Sequence, residues 1–287
     1  DRLSANAVDG ENGIITYTQW LNDRGRLEAD LTVTKLDDDR FWVVASDTAH
    51  RHVLTRLERA VAGRHAFVSD VTGGWAQLNV QGPRSREVLA AVTSVDMSDA
   101  AFPFRSAQEI DVMFARALCV RITYLGELGY ELYVPAEQAV HVYEQLLWAG
   151  ADLGMAHVGL KSLSSLRLEK AYRDYGHDID NTDSVLEAGL GFAVALDKPG
   201  GFIGRDAVAA QKAAGPLRRR LVQVLLEDPE PLLFHAEVVR RDGVPVGYVR
   251  AGSYGFTLGG AVGLAMVDGD VPVDQAWIDA GEWTVEV

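Results

Sequence analysis

Cysteine is almost absent. The 287 residues include one, Cys119, so no internal disulfide can form and the redox compartment stays open. A basic excess is missing as well. Lys+Arg number 27 against 41 Asp+Glu, a formal net charge of −14. That balance excludes a general nucleic-acid partner and disfavours an anionic membrane surface, because both need a cationic face. No apolar run approaches the roughly 20 residues of a spanning helix. No signal-peptide pattern is visible, although the chain opens on Asp1 rather than Met, and we expect a piece of a longer polypeptide. Walker loops, HExxH, paired CxxC and GxSxG are all lacking. His50 and His52 lie two apart on an expected helix and so point to different faces, and no metal site is expected. Gly259 to Gly263 precedes a strand rather than following one, unlike a dinucleotide fingerprint. What remains is an ordinary globular composition, 48% hydrophobic and 24% charged, at a length suited to two domains, or to one large domain with an appendage.

Alternation dominates the first part of the chain. Ile14 to Leu21 reads as a strand, and Asn22-Asp23-Arg24-Gly25 as a turn with a glycine available for positive φ. From Arg26 to Leu36 the apolar Leu27, Ala29, Leu31 and Val33 face one way, and Glu28, Asp30, Thr32 and Thr34 the other. Asp37-Asp38-Asp39 turns into a strand over Phe41 to Ala45, and Ser46 or Asp47 is expected to cap a helix through Leu54, Leu57 and Val61. Trp75 to Val80 reads as a strand, followed by Gln81-Gly82-Pro83 and a helix with Val88, Leu89 and Val92. Strands are expected over Ala117 to Tyr124 and Tyr130 to Val134, and helices from Pro135 to about Leu153 and from roughly Lys161 to Tyr172. This is an α+β core of antiparallel sheets with covering helices. After Gly215-Pro216 only short strands and tight turns are legible: Arg220 to Leu226, Ala236 to Arg240, Val246 to Arg250 and Ala261 to Met266. Arg241-Asp242-Gly243 is a hairpin signal. A small C-terminal β-barrel without helices is expected, stopping in mid-pattern at Val287. The expected domains are residues 1–205 and 206–287.

Few residues advertise chemistry. Asp30 is a carboxylate in an otherwise apolar strand, costly to bury unless partnered. It faces solvent, a partner or a cavity, and Tyr17 lies on the partner strand, where the turn length leaves open whether the register sets it beside Asp30. On the local pattern alone a solvated sheet face outweighs a site. Glu127 sits in a Gly-Glu-Leu-Gly turn, either solvated or offered to a ligand that the glycines let approach. Arg167, Glu169, Lys170 and Arg173 read either as a charged outer helix face or as a cationic patch awaiting an anion. Cys119, between Leu118 and Val120, reads as core.

Eight stretches, taken in order, resemble one family. They are Tyr17-Thr18-Gln19, Gly25 to Val33, Val80-Gln81-Gly82-Pro83, Thr123 to Tyr133, Leu166 to Tyr172, Leu186 to Leu190, Phe202-Ile203-Gly204-Arg205 and Val246 to Val249. The family is the tetrahydrofolate-binding aminomethyltransferases, the fold of the glycine-cleavage T-protein. Within it the chain is most similar to the C-terminal folate domains of sarcosine and dimethylglycine dehydrogenases. Glu28-Ala29-Asp30, Lys170-Ala171-Tyr172 and Phe256 carry that finer likeness.

The resemblance implies a three-lobed arrangement around a folate channel, with residues 1–205 as the folate-binding region. It implies that Asp30 is the catalytic aspartate and that Tyr17 lines the pterin site. Thr123, Glu127, Leu128 and Gly129 would form the folate-contacting turn, the glutamate bonding the pterin, and Arg167 and Tyr172 would lie on a helix that also reaches the cofactor. The cofactor implied is tetrahydrofolate, with FAD only in a flavin dehydrogenase domain or subunit outside this chain. The implied reaction captures the one-carbon unit of an oxidised sarcosine- or dimethylglycine-type N-methyl amine as 5,10-methylenetetrahydrofolate. The alternatives are a folate-dependent O- or S-demethylase and a non-enzymatic folate-binding regulatory scaffold. The family's N-terminal strand and helix and its last barrel strand are not found in this sequence. The 22 arginines against 5 lysines point to a GC-rich bacterial gene and a cytoplasmic protein, the mitochondrial matrix being the other option.

Overall fold

The two-residue alternation of the first stretch folds as it reads. In the computed structural model, which describes all residues from Asp1 to Val287, β1 (Ile14–Leu21), β2 (Leu27–Lys35) and β3 (Phe41–Ala45) form a sheet in that order. Leu27, Ala29, Leu31 and Val33 are buried while Glu28, Asp30 and Thr32 keep partial access to solvent. The β1–β2 turn is organised by Asn22, whose side-chain oxygen accepts the backbone N–H groups of Arg24 and Arg26 at 3.0 and 3.1 Å. Gly204 closes over this turn. Its φ is +85°, and a Cβ there would run into the Asn22 carbonyl, which explains the glycine of the Phe202 to Arg205 stretch.

Contact density divides the chain into two units, and neither is a continuous run. One comprises Val8–Thr16 and Leu31–Val158. It contains α1 (His50–Val61), β4 (Trp75–Gln81), α2 (Ser85–Ala90), β5 (Ala107–Val112), β6 (Ala115–Val120), β7 (Gly129–Pro135) and α3 (Ala139–Gly150). Its antiparallel sheet has the order β4-β7-β6-β5. The core joins Val80, Leu89, Phe102, Ile110, Cys119, Tyr130 and Leu132 with Val142 and Leu146 of α3. Cys119 is a core residue, its thiol pushed up by burial. Neither Ser46 nor Asp47 caps α1. A 3-10 turn over Asp47–Ala49 precedes it, Ser46 Oγ lies 3.1 Å from Thr48 Oγ1, and Asp47 Oδ1 accepts the Thr48 N–H at 2.8 Å. β6 stops at Val120, short of the expected Tyr124, because the chain turns off where Thr123 Oγ1 accepts the Leu125 N–H at 3.0 Å.

The other unit comprises Asp1–Ala7, Tyr17–Asp30 and Gly159–Val287. It holds α4 (Leu160–Glu169), α5 (Arg205–Ala213), β8 (Arg219–Leu225), β9 (Val238–Arg241), β10 (Val244–Gly255), β11 (Gly260–Asp268), α6 (Gln275–Asp279) and β12 (Trp283–Val285). The sheet order is β12-β9-β10-β11-β8. Asp242 and Gly243, with φ of 53° and 76°, make the two-residue hairpin turn that positive φ at both positions selects. α6 departs from the all-strand expectation; Asp274 caps it, accepting the Trp277 N–H at 2.9 Å. The core of this unit joins Leu21 and Leu27 with Leu168, Ile179, Phe202 and Val208 and with Leu221, Ala251, Leu264 and Met266. No helix is long and apolar enough to cross a membrane.

Lys198 ties the N-terminal segment into this unit. Its buried ammonium donates to the carbonyls of Asp1, Ser4 and Asn6 at 2.7, 2.5 and 2.9 Å, and burial lowers its pKa to about 8. That segment runs beside β1, with Ala5 N–H bonded to the Gln19 carbonyl at 2.9 Å and Asn6 Nδ2 to the Tyr17 carbonyl at 3.0 Å. Lys198→Met leaves those carbonyls without their donor. It is expected to lower stability by about 1–3 kcal/mol in urea unfolding.

Candidate functional site

Tyr17 and Gln19 stand two apart on β1, and both reach Asp30 on β2. The Tyr17 hydroxyl donates to Asp30 Oδ2 at 2.9 Å, and Gln19 Nε2 donates to Oδ1 at 2.9 Å. Both carboxylate oxygens are therefore held, and the solvated sheet face that the local pattern favoured gives way to a bracketed, partly accessible carboxylate. Burial pushes its pKa up to about 6, against the pull of these two hydrogen bonds, and the charges of Asp174 and Asp178 raise it further. Such a group is ionised near neutrality yet able to hold a proton. The Tyr17 ring stacks with Phe192 at a centroid distance of 6.1 Å and an interplanar angle of 26°. Phe192 remains 75% exposed.

The end of α4 supplies the surrounding charge. The helix stops at Glu169 rather than Tyr172 because Ala171 takes a left-handed φ of 55°. The Tyr172 N–H then reaches back to the Arg167 carbonyl at 2.9 Å, and Ala171 N–H to the Leu168 carbonyl at 3.0 Å, a Schellman ending without its usual glycine. Arg167 consequently points inward. It is 2% exposed, pairs with Asp178 at 3.1 Å and donates to the Tyr172 carbonyl at 2.7 Å. The outer-face reading of this arginine is thus corrected: its charge is matched by a buried acid. Arg173 lies beyond the helix, donating Nε to the Ala188 carbonyl at 2.9 Å and Nη1 to the Ala171 carbonyl at 2.7 Å. Burial lowers its pKa, against the charges of Tyr17, Asp178 and Asp30. This cation therefore belongs to the Asp30 neighbourhood. Glu187 fastens the β1–β2 turn by pairing with Arg26 at 2.6 Å.

Thr123, Glu127, Leu128 and Gly129 share one turn, in the unit that holds residues 31–158; Tyr17, Asp30, Arg167 and Tyr172 belong to the other. The Leu128 carbonyl accepts the Gly82 N–H at 2.7 Å and the Ser85 hydroxyl at 3.2 Å. The Gln81-Gly82-Pro83 and Gly126 to Gly129 stretches therefore brace one another. A Cβ at Gly129 would displace the Gln81 side chain. Glu127 extends its carboxylate from this braced turn into solvent. Nearby in sequence, the Tyr133 hydroxyl donates to Glu131 Oε2 at 2.6 Å, and burial raises the Glu131 pKa.

Gln19, Asp178 and Phe192 are site features that the sequence reading missed, whereas Arg173 was singled out there only as part of a charged cluster. For Gln19 a signal existed, since a polar residue two places from Tyr17 shares its side of the strand.

Residues 1–198 match the GCVT N-terminal domain and residues 219–287 the glycine cleavage T-protein C-terminal barrel domain. The chain is 42% identical over 263 residues to 4-methylaminobutanoate oxidase (formaldehyde-forming) of Paenarthrobacter nicotinovorans, covering 92% of this chain and 32% of that protein. It is 32% identical over 303 residues to mitochondrial sarcosine dehydrogenase of Mus musculus, covering 100% of this chain and 33% of that protein. The chain thus spans about a third of the length of these relatives. Among solved structures, glycine cleavage system aminomethyltransferase T from Bartonella henselae superposes with a TM-score of 0.80 at 26% identity, covering 93% of this chain and 71% of that one.

Proposed function

The chain belongs to the aminomethyltransferase (GCVT) family, and on that premise we propose that it is a tetrahydrofolate-dependent one-carbon transfer module. It takes the carbon of an oxidised N-methyl amine of the sarcosine or dimethylglycine type and yields 5,10-methylenetetrahydrofolate. When bound, tetrahydrofolate supplies the nitrogen nucleophiles that accept the carbon. The residues present fit such a ligand. Tyr17 and Phe192 offer aromatic surface to a flat ring; Glu127, in the other unit, carries an exposed carboxylate able to accept N–H donors.

The observation that carries the reading is Asp30. A carboxylate fixed at both oxygens, with a pKa near 6, is suited to take the proton released as a nitrogen forms its new bond to carbon. It can also stabilise positive charge developing there. Tyr17 and Gln19 set its direction through their hydrogen bonds to its two oxygens. The competing acceptor for the carbon is water. A relative is named for forming formaldehyde, the compound to which an oxidised N-methyl carbon falls when water takes it.

We assign the amine oxidation to a flavin-bearing partner domain or subunit, supported by the chain's spanning about a third of its oxidase and dehydrogenase relatives. Relatives occur in a bacterium and in mouse mitochondria, and the arginine preference favours a bacterial cytoplasm.

Isothermal titration of the chain with 5-formyltetrahydrofolate tests the reading. One-to-one binding is expected, weakened about 10- to 100-fold by Glu127→Ala through loss of a charge-assisted hydrogen bond. Absence of saturable binding overturns the folate assignment.

A further inference from the structure

We infer that Gln19 is a positioning residue serving both protonation states of Asp30 from one place, its amide donating Nε2–H to the carboxylate and, turned over, accepting the carboxylic proton on Oε1. The inference rests on the reading of Asp30 as a proton acceptor.

Gln19 is 0% exposed. Its Nε2 lies 2.9 Å from Asp30 Oδ1, while its Oε1 is buried without a hydrogen-bond partner. A buried acceptor left unpaired is costly, and proteins rarely tolerate one. Here the orphan sits on the same amide that holds the carboxylate. The two ends of an amide are nearly the same size and exchange by rotation about the last side-chain bond. While Asp30 is ionised it can only accept, so the Nε2 end must face it and Oε1 is stranded. Once Oδ1 carries a proton, the turned amide presents Oε1 to that O–H, so the buried acceptor gains its partner while Nε2 takes the place that Oε1 left. The only bond made or broken is the O–H of the carboxyl.

A fixed donor would hold Asp30 in its ionised form and resist protonation. A pure acceptor would do the reverse. An amide that can turn supports the group through uptake and release of a proton without moving the carboxylate. The Tyr17 hydroxyl at Oδ2 has the same double capacity.

The ionisable groups facing Asp30 are few. Tyr17 comes from β1, and Asp174 and Asp178 from the segment after α4. Arg173 of that segment senses Asp30 in return. Asp178 is paired with Arg167, so its influence is partly offset, and Gln19 is the one neutral group bonded to the carboxylate besides Tyr17.

NMR of the unliganded chain tests this without depending on catalysis or folate. The Asp30 carboxyl carbon is identified by its loss in Asp30→Asn, and the Gln19 side-chain amide by its loss in Gln19→Met. In the unsubstituted chain the Gln19 NH₂ signals are expected to shift with the same midpoint as the Asp30 carboxyl, near pH 6. In Gln19→Met the Asp30 midpoint is expected to rise by about one pH unit, because the bond to the charged form is the stronger of the two lost. Gln19 signals that stay flat through the Asp30 titration overturn the turning amide. An Asp30 midpoint unchanged in Gln19→Met overturns the positioning role. Should that variant not fold, the unsubstituted chain decides through its paired titrations. If folate binding or turnover fails instead, these midpoints still stand, and only the catalytic reading is lost.

Discussion

Asp30→Asn is expected to slow one-carbon transfer by about 100- to 10,000-fold, the range typical of removing a positioned acid–base group, and to leave 5-formyltetrahydrofolate affinity within a few-fold. Asparagine keeps the shape and can still bond Tyr17 and Gln19, but it cannot take a proton. Wild-type kcat/KM is expected to climb as pH rises through about 6 and then level, because Asp30 must be ionised to act. The same substitution has an opposite effect on stability. The folded pKa of Asp30 lies above the unfolded carboxylate value of 3.8, so the folded chain binds more protons between those values and loses stability as pH rises from about 4 to 6. Above that window the cost is complete, at most about 3 kcal/mol. Asp30→Asn should therefore be the more stable protein at pH 7.5 and lose that advantage towards pH 4, as read by thermal unfolding across pH. Transfer undiminished in Asp30→Asn would remove this residue from the chemistry and favour a folate-binding scaffold.

Much of this arrangement was legible because it is local. Alternation from Leu27 to Val33 required a half-exposed face bearing Asp30, and turn chemistry at Asn22 and at Asp242-Gly243 closed the hairpins as written. What escaped depends on contacts distant in sequence or on residues that carry no local signal. Ala171 adopts a glycine-like φ without being glycine, so the end of α4 was invisible and Arg167 looked like a surface charge. Asp178, whose burial gives that arginine its purpose, lies in a loop with no periodicity. Gln19 reads as an ordinary polar strand residue until Asp30 is placed opposite it. The shared core of Leu21, Phe202 and Leu264 is likewise assembled from residues that no window of sequence contains.

Arg167→Met is expected to destabilise the fold by about 3–5 kcal/mol, since it leaves Asp178, fully buried, without its cation. Methionine fills much of the same length, so the loss reports charge rather than volume. Asp178 would keep the Asp174 N–H at 3.1 Å, which cannot offset a buried carboxylate alone. Burial already raises its pKa, with Arg167 the main influence holding it down. In the variant the group protonates more readily, so the deficit should shrink as pH falls towards 5. A second substitution then separates two roles. If Arg167 acts by neutralising Asp178, adding Asp178→Asn to Arg167→Met should recover most of the lost stability in urea unfolding, the coupling expected of one buried pair. The single variant should also move the acid limb of transfer to higher pH, because an uncompensated Asp178 charge raises the Asp30 pKa further. If Arg167 contacts folate directly, as the family resemblance implies, affinity for 5-formyltetrahydrofolate should fall in both the single and the double variant, and Asp178→Asn should not restore it. The 2% exposure of Arg167 and its two internal partners favour the first outcome, in which the arginine shapes the site through the acid that it buries.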